Sequence, residues 1–158
     1  MLKLVLVAFA LIANTASAKE IETTLSLDLS QRQLVVFEGG VIKKKYPVAV
    51  GRSGWETPTG QFKIQQKVKN PAWVNFYSGS LVKSGKNNPL GTRWIGFHTD
   101  CNKIKTCAQV GFHGTPNRDS IGKAETHGCV RMYDEHVQEL FEIVKVGTVV
   151  QVLSLIHI

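Results

Sequence analysis

Gly111-Phe-His113-Gly-Thr115 and Thr126-His127-Gly128-Cys129-Val-Arg131, with thirteen residues between the two histidines, form the stretch of this 158-residue chain best suited to chemistry. Cysteine is a strong nucleophile only as its thiolate. An ordinary thiol with a pKa near about 8.5 is a few per cent ionised at neutral pH, so it needs an imidazole to take its proton and hold it as an ion pair. Cys129 has His127 two residues before it and His113 upstream. Gly128 lets the backbone approach a substrate closely, and the amides around Cys129 can face a developing oxyanion. His127 is the tempting base on sequence grounds, because in extended backbone it shares a strand face with Cys129. The competing reading is a buried, inert cysteine with structural histidines.

Strands must hold these groups. Leu25, Leu27 and Leu29 alternate with Thr24, Ser26 and Asp28, and Gln33-Leu-Val-Val-Phe37 follows the polar break Ser30-Gln-Arg32, which predicts a hairpin over 21–37. Gly39-Gly40 between 34–38 and 41–50 predicts a second hairpin. Residues 51–60 read as a turn-rich connection into a strand over 61–68. Residues 70–91 read as a long loop carrying Trp73, Phe76 and Tyr77, the kind of aromatic loop that lines sites. Residues 90–97 and 110–113 read as strands around 100–108. Val137, Leu140, Phe141 and Val144 recur at helical spacing, with Asp134 as N-cap and Gly147 as stop, and 148–153 closes as a strand. The chain reads as mainly β.

His113-Gly-Thr115, Ser120-Ile-Gly122 and Thr126-His-Gly-Cys-Val-Arg131, in that order and spacing, resemble the L,D-transpeptidase catalytic domain family, also called the YkuD domain. Thr57-Pro-Thr-Gly60 and Asn88-Pro-Leu-Gly-Thr-Arg-Trp94 support the match, which runs over 21–152. The resemblance implies a β-sandwich with a short helix, one amphipathic helix near the C-terminus and the nucleophile at its mouth. In that family the cysteine attacks the L-to-D peptide bond of a peptidoglycan tetrapeptide stem, after the third residue. A thioester forms, and an amine resolves it as a cross-link or water resolves it as carboxypeptidation; the sequence does not separate the two. Carried over, Cys129 is the nucleophile, His113 the general base, and the Gly114 carbonyl orients that base. The amides of His127, Gly128 and Cys129 form the oxyanion site. Arg131 meets a substrate carboxylate or braces the motif, and Arg93 and Trp94 stand on the substrate side. No cofactor is implied, and 100–108 looks like an insertion.

Composition sets the surroundings. The net charge of +7, still basic without Lys3, suits either nucleic acid or an anionic envelope. Residues 1–18, MLKLVLVAFALIANTASA, have the layout of a secretory signal peptide, and their apolar run is about half of the roughly 20 residues a membrane span needs. The expectation is a monomer exported to the periplasm or cell wall, with no membrane span after cleavage and a catalytic domain over 19–153. The basic residues are scattered, which argues against a nucleic-acid partner, and Lys43-Lys44-Lys45 reads as a solvated edge strand. Export favours a Cys101–Cys107 disulfide and one free thiol at Cys129 over a zinc site built from His98, Cys101, Cys107 and His113. A catalytically silent wall-binding module is the rival class, although a binder has no use for a free thiol. The ending LSLIHI reads as a foreign tail matching one frame of a transposase-derived library adapter, with 154–158 set apart; the alternative is a genuine final strand.

Overall fold

The computed structural model describes residues 21–75, 77–85, 87–100 and 108–154. The expected leader, Cys101, Cys107 and the tail from 155 onward lie outside the described residues.

β1 (Thr23–Asp28) and β2 (Gln33–Glu38) make the first hairpin, with Leu25 opposite Val36 and Leu27 opposite Leu34. Alternation sends all four into the core. The Asp28 carboxylate accepts the amides of Ser30 and Gln31, both at 2.9 Å, and so builds the turn. Gly39 and Gly40, at φ 58° and 82°, supply the left-handed pair that a tight loop into β3 (Val41–Pro47) requires.

The second hairpin is shorter than expected. Pro47 has no N–H with which to continue the ladder, and Val48, Ala49 and Val50 turn inward instead. Ala49 bridges Arg131, and β4 (Val50–Gly51) pairs with β11 (Ala124–Thr126). The segment therefore grips the chain on both sides of Cys129.

The single strand expected over 61–68 is two strands, β5 (Gly60–Lys63) and β6 (Gln66–Lys69). Phe62, Ile64 and Val68 fall on one period of two with no Gly or Pro between them, so the sequence marks no turn. The bend is made by partners far along the chain. Ile64 N–H bonds Thr148 O at 2.9 Å on one side, and Gln65 N–H bonds Gly96 O at 2.8 Å on the other. Likewise the loop over 70–91 contains a small hairpin, β7 (Trp73–Val74) and β8 (Leu81–Val82).

The remaining strands are β9 (Arg93–Asp100), β10 (Ala108–His113), β12 (Val130–Arg131) and β13 (Val149–Leu153). They complete a five-stranded sheet, β3-β2-β1-β13-β5, and a four-stranded sheet, β12-β10-β9-β6. Leu25, Leu27, Leu34, Val36, Val150 and Val152 of the first sheet share one core with Ile95, Phe97, Phe112 and Val130 of the second. Phe97 stands 5.6 Å from Phe62 and 4.9 Å from Phe112 between ring centroids, so it joins the two layers. Truncating such a side chain to alanine costs about 3–5 kcal/mol.

The helix α1 (Asp134–Ile143) buries Val137, Leu140 and Phe141, as its spacing requires. Its ends differ from expectation. Asp134 is its first helical residue rather than its cap, because its carboxylate is drawn across to Thr92 N–H at 2.8 Å and Thr92 Oγ1 at 2.9 Å. The helix stops at Ile143, short of Gly147, because Val144 turns extended and is itself buried. Among the described residues, a 3-10 turn over Arg118–Ser120 is the other short helical piece.

Candidate active site

Phe112 and Val130 are buried in the core, so strand alternation turns His113 and Arg131 to the outer face of the four-stranded sheet. β12 runs parallel to β10 with His113 beside Arg131, which brings Cys129 to β10 next to Gly111. Cys129 is half-buried and a free cysteine. Its Sγ–H donates to Gln109 O at 3.6 Å, and the Gly111 amide donates to the sulfur.

A cavity of about 810 Å3 covers this face. Cys129, His113, His127, Arg131 and Trp94 all line it, together with Gln66, Gln109, Thr126 and residues of the β7–β8 hairpin such as Trp73, Val74 and Tyr77. The aromatic segment over 70–91 thus borders the site, as its composition suggests. Arg93 is the exception among the expected substrate residues. It precedes Trp94 on β9, and its guanidinium donates to Thr92 O at 2.9 Å and lies 5.3 Å from the Phe141 ring, outside the cavity lining.

His113 is buried, stacked on Trp94 with ring centroids 5.9 Å apart and planes at 25°. Its Nδ1 lies 2.6 Å from Gly114 O, and a carbonyl only accepts, so Nδ1 carries the proton and Nε2 is the basic nitrogen. Gly114 has to be glycine. A Cβ there would meet the Asp134 carboxylate, with Gly91 Cα at 3.2 Å. Asp134 and Thr92 therefore form the wall behind the carbonyl that fixes His113.

His127 has a different partner. Arg52 Nη2 donates to its Nε2 at 3.1 Å, and Trp55 meets the ring edge-on at 4.9 Å. The lone pair that a base would use is occupied by Arg52. Burial, then Arg52 and Arg131, hold its pKa below the usual imidazole range.

Gly128, at φ 111°, adopts a conformation that only glycine takes readily. Its N–H donates to Thr126 Oγ1 at 3.1 Å, and its carbonyl accepts from Thr57 Oγ1 at 2.9 Å. Thr126 Oγ1 in turn donates to Cys129 O at 2.5 Å. Thr57, Thr126, Arg52, Gln109 and Asp134 are the site residues that sequence reasoning missed. Thr57 and Thr126 gave a signal, through the Thr-Pro-Thr-Gly and Thr-His-Gly-Cys matches, and Asp134 was read only as a helix cap.

Electrostatics separate the pair from the expected thiolate–imidazolium. Burial pushes His113 down to about 4, against the pull of Gly114 O and with help from Arg131. Burial pushes the Cys129 thiol up, partly offset by the Gly111 amide and Arg131. Both shifts favour a resting neutral thiol and neutral imidazole. Among the described residues no three His, Cys, Asp or Glu side chains gather as a metal site. His98 packs on Phe62 at 4.8 Å between ring centroids, and the two other cysteines of the zinc reading are outside the described residues. No helix among the described residues is long and apolar enough to cross a membrane.

The profile of the L,D-transpeptidase catalytic domain, YkuD, matches residues 22–152, and the chain belongs to that family. YqjB of Bacillus subtilis (strain 168), which bears the L,D-transpeptidase name, is 36% identical over 117 residues, covering 73% of this chain and 62% of the relative. The chain spans about three-fifths of the length of YqjB and of two YkuD relatives from Bacillus licheniformis and Bacillus subtilis. Among solved structures, an L,D-transpeptidase from Stackebrandtia nassauensis matches with a TM-score of 0.61 at 22% identity, over 90% of this chain and 62% of that one. LdtMt1 in complex with imipenem matches with 0.66 at 18% identity, over 84% and 59%. These two likenesses establish the fold.

Proposed function

We propose that the protein is a peptidoglycan L,D-transpeptidase, exported as a monomer to the periplasm or cell wall, with Cys129 as nucleophile and His113 as general base. The observation that carries this reading is the seating of the Cys129 thiol between Gln109 O and the Gly111 amide, in the same cavity that His113 lines with Nδ1 tied to Gly114 O. The pair starts neutral. His113 Nε2 takes the thiol proton as sulfur attacks the carbonyl of the L-to-D bond, and the developing oxyanion faces the amides of His127 and Cys129. The Gly128 amide, bonded to Thr126, holds the loop instead. Collapse of the adduct breaks the C–N bond, and the departing D-residue amine takes the proton from His113. A second stem's amine then attacks the thioester, passes its proton through His113 to sulfur and leaves as a cross-linked dimer. Arg131, at the same face, suits a carboxylate of the stem.

Incubation with a purified disaccharide-tetrapeptide, followed by mass analysis, tests the reading. Dimer with loss of the terminal D-residue is expected; tripeptide alone would mean water as acceptor and an L,D-carboxypeptidase. Unchanged tetrapeptide would refute both.

A further inference from the structure

Trp94 is 6% exposed, lines the cavity, and its indole N–H has no hydrogen-bond partner among the described residues. An indole nitrogen only donates, so such a buried group asks for an acceptor that the free protein does not supply. Its surroundings show where that acceptor would come from. Gly96 sits opposite both Gln66 and Gly111 in the sheet, which places Gln66 on one strand beside that of Trp94 and Gly111, the position next to Cys129, on the other. A Cβ on Gly96 would lie 3.0 Å from Trp94 Nε1 and 3.1 Å from Gln66 Cγ, so the bare glycine is what lets the indole nitrogen and the Gln66 side chain close together over the sheet. Gln66 Nε2 donates to Gln109 Oε1 at 2.6 Å, and Gln109 is the residue whose backbone carbonyl receives the Cys129 thiol.

We propose that Trp94 N–H, with the Gln66–Gln109 carboxamide pair, is a specificity subsite that holds a backbone carbonyl of the acyl-donor stem peptide in the cavity beside Cys129. The inference rests on the transpeptidase reading. A neutral carbonyl fits better than a carboxylate, because this arm of the cavity offers uncharged amides and an indole while Arg131 is paired with His113 on the neighbouring strand. The flexible carboxamide end of Gln66 is the neighbour that gives way when the ligand arrives.

Trp94→Phe removes the N–H and keeps a ring to stack on His113, so it separates recognition from support of the base. For the tetrapeptide stem, KM should rise by about tenfold, the size of one lost hydrogen bond in a closed site, with kcat nearly unchanged. Alkylation of Cys129 by iodoacetamide, which has no peptide chain, should be unaffected. In a second measurement, the Cys129→Ala protein is titrated with the same stem while the Trp94 indole N–H resonance is followed, assigned among Trp55, Trp73 and Trp94 by its loss in Trp94→Phe. It should move downfield. Turnover by the wild type with an unchanged KM in Trp94→Phe, or stem binding that leaves the Trp94 resonance in place, would overturn the subsite alone. A wild type that neither turns over nor binds the stem would overturn the transpeptidase reading and the subsite with it.

Discussion

Thr57 Oγ1 donates to the Gly128 carbonyl at 2.9 Å and accepts from the Gly51 amide at 3.0 Å, so one hydroxyl joins the Thr-Pro-Thr-Gly turn to the loop that carries Cys129. Thr57 is 2% exposed and Gly128 is buried, so the carbonyl has no water to fall back on. Thr57→Val, nearly the same shape, should therefore cost about 1–3 kcal/mol and slow acylation of Cys129. Thr57→Ser should keep most of both. Denaturant midpoints and labelling rates for the two variants check this, and a valine variant equal to wild type would refute it.

Asp134 should matter to catalysis although it touches no reacting atom. Its carboxylate holds Thr92 and Gln138 and packs against Gly114, whose carbonyl sets the tautomer of His113. Asp134→Ala should lower kcat by tenfold to about a hundredfold through misplacement of the base, with little change in KM. Asp134→Asn, which still offers one oxygen to Thr92, should recover part of it. An effect confined to KM would place Asp134 elsewhere in the mechanism.

Burial of neutral His113 makes folding sensitive to acid. Above pH 6.5 the imidazole is neutral in both folded and unfolded chains and adds nothing. Between 6.5 and about 4 the unfolded chain binds a proton that the folded chain refuses, so stability falls as pH falls, by about 3 kcal/mol over the window. Chemical denaturation at several pH values should show a smaller acid loss in His113→Gln than in wild type. Equal losses would mean that His113 does not carry the effect.

The raised thiol makes a different pH signature. With a resting ion pair, iodoacetamide alkylation of Cys129 would reach its plateau near neutral pH. With the neutral pair, the rate should still be climbing at pH 9. Peptide acylation should nevertheless persist down to about pH 5, because it needs only that His113, at about 4, stay unprotonated. A plateau of alkylation below pH 8 would restore the thiolate–imidazolium.

Much of the site was legible because its chemistry is local in sequence. Cys129, His113 and Gly128 announce themselves by type and spacing, and the core strands announce themselves by alternation at Leu25, Leu27, Leu34 and Val36. What the sequence hid depends on distant partners. The bend at Ile64 and Gln65 is set by Thr148 and Gly96, so no local breaker marks it. Asp134 looks like a helix cap because its competing partner, Thr92, is 42 residues away. His127 looks like a base until Arg52, 75 residues earlier, is seen on its Nε2. Arg93 sits in a family-like motif, yet β9 directs it to Phe141.

Covalent capture of the nucleophile is the most direct test of the central claim. LdtMt1, which shares the fold, was solved in complex with imipenem. Wild-type protein mixed with imipenem, denatured and weighed intact should carry one adduct, mapped by peptide digestion to Cys129, and Cys129→Ala should carry none. An adduct retained in Cys129→Ala, or mapped to any other residue in the wild type, would contradict the assignment of Cys129 as the nucleophile.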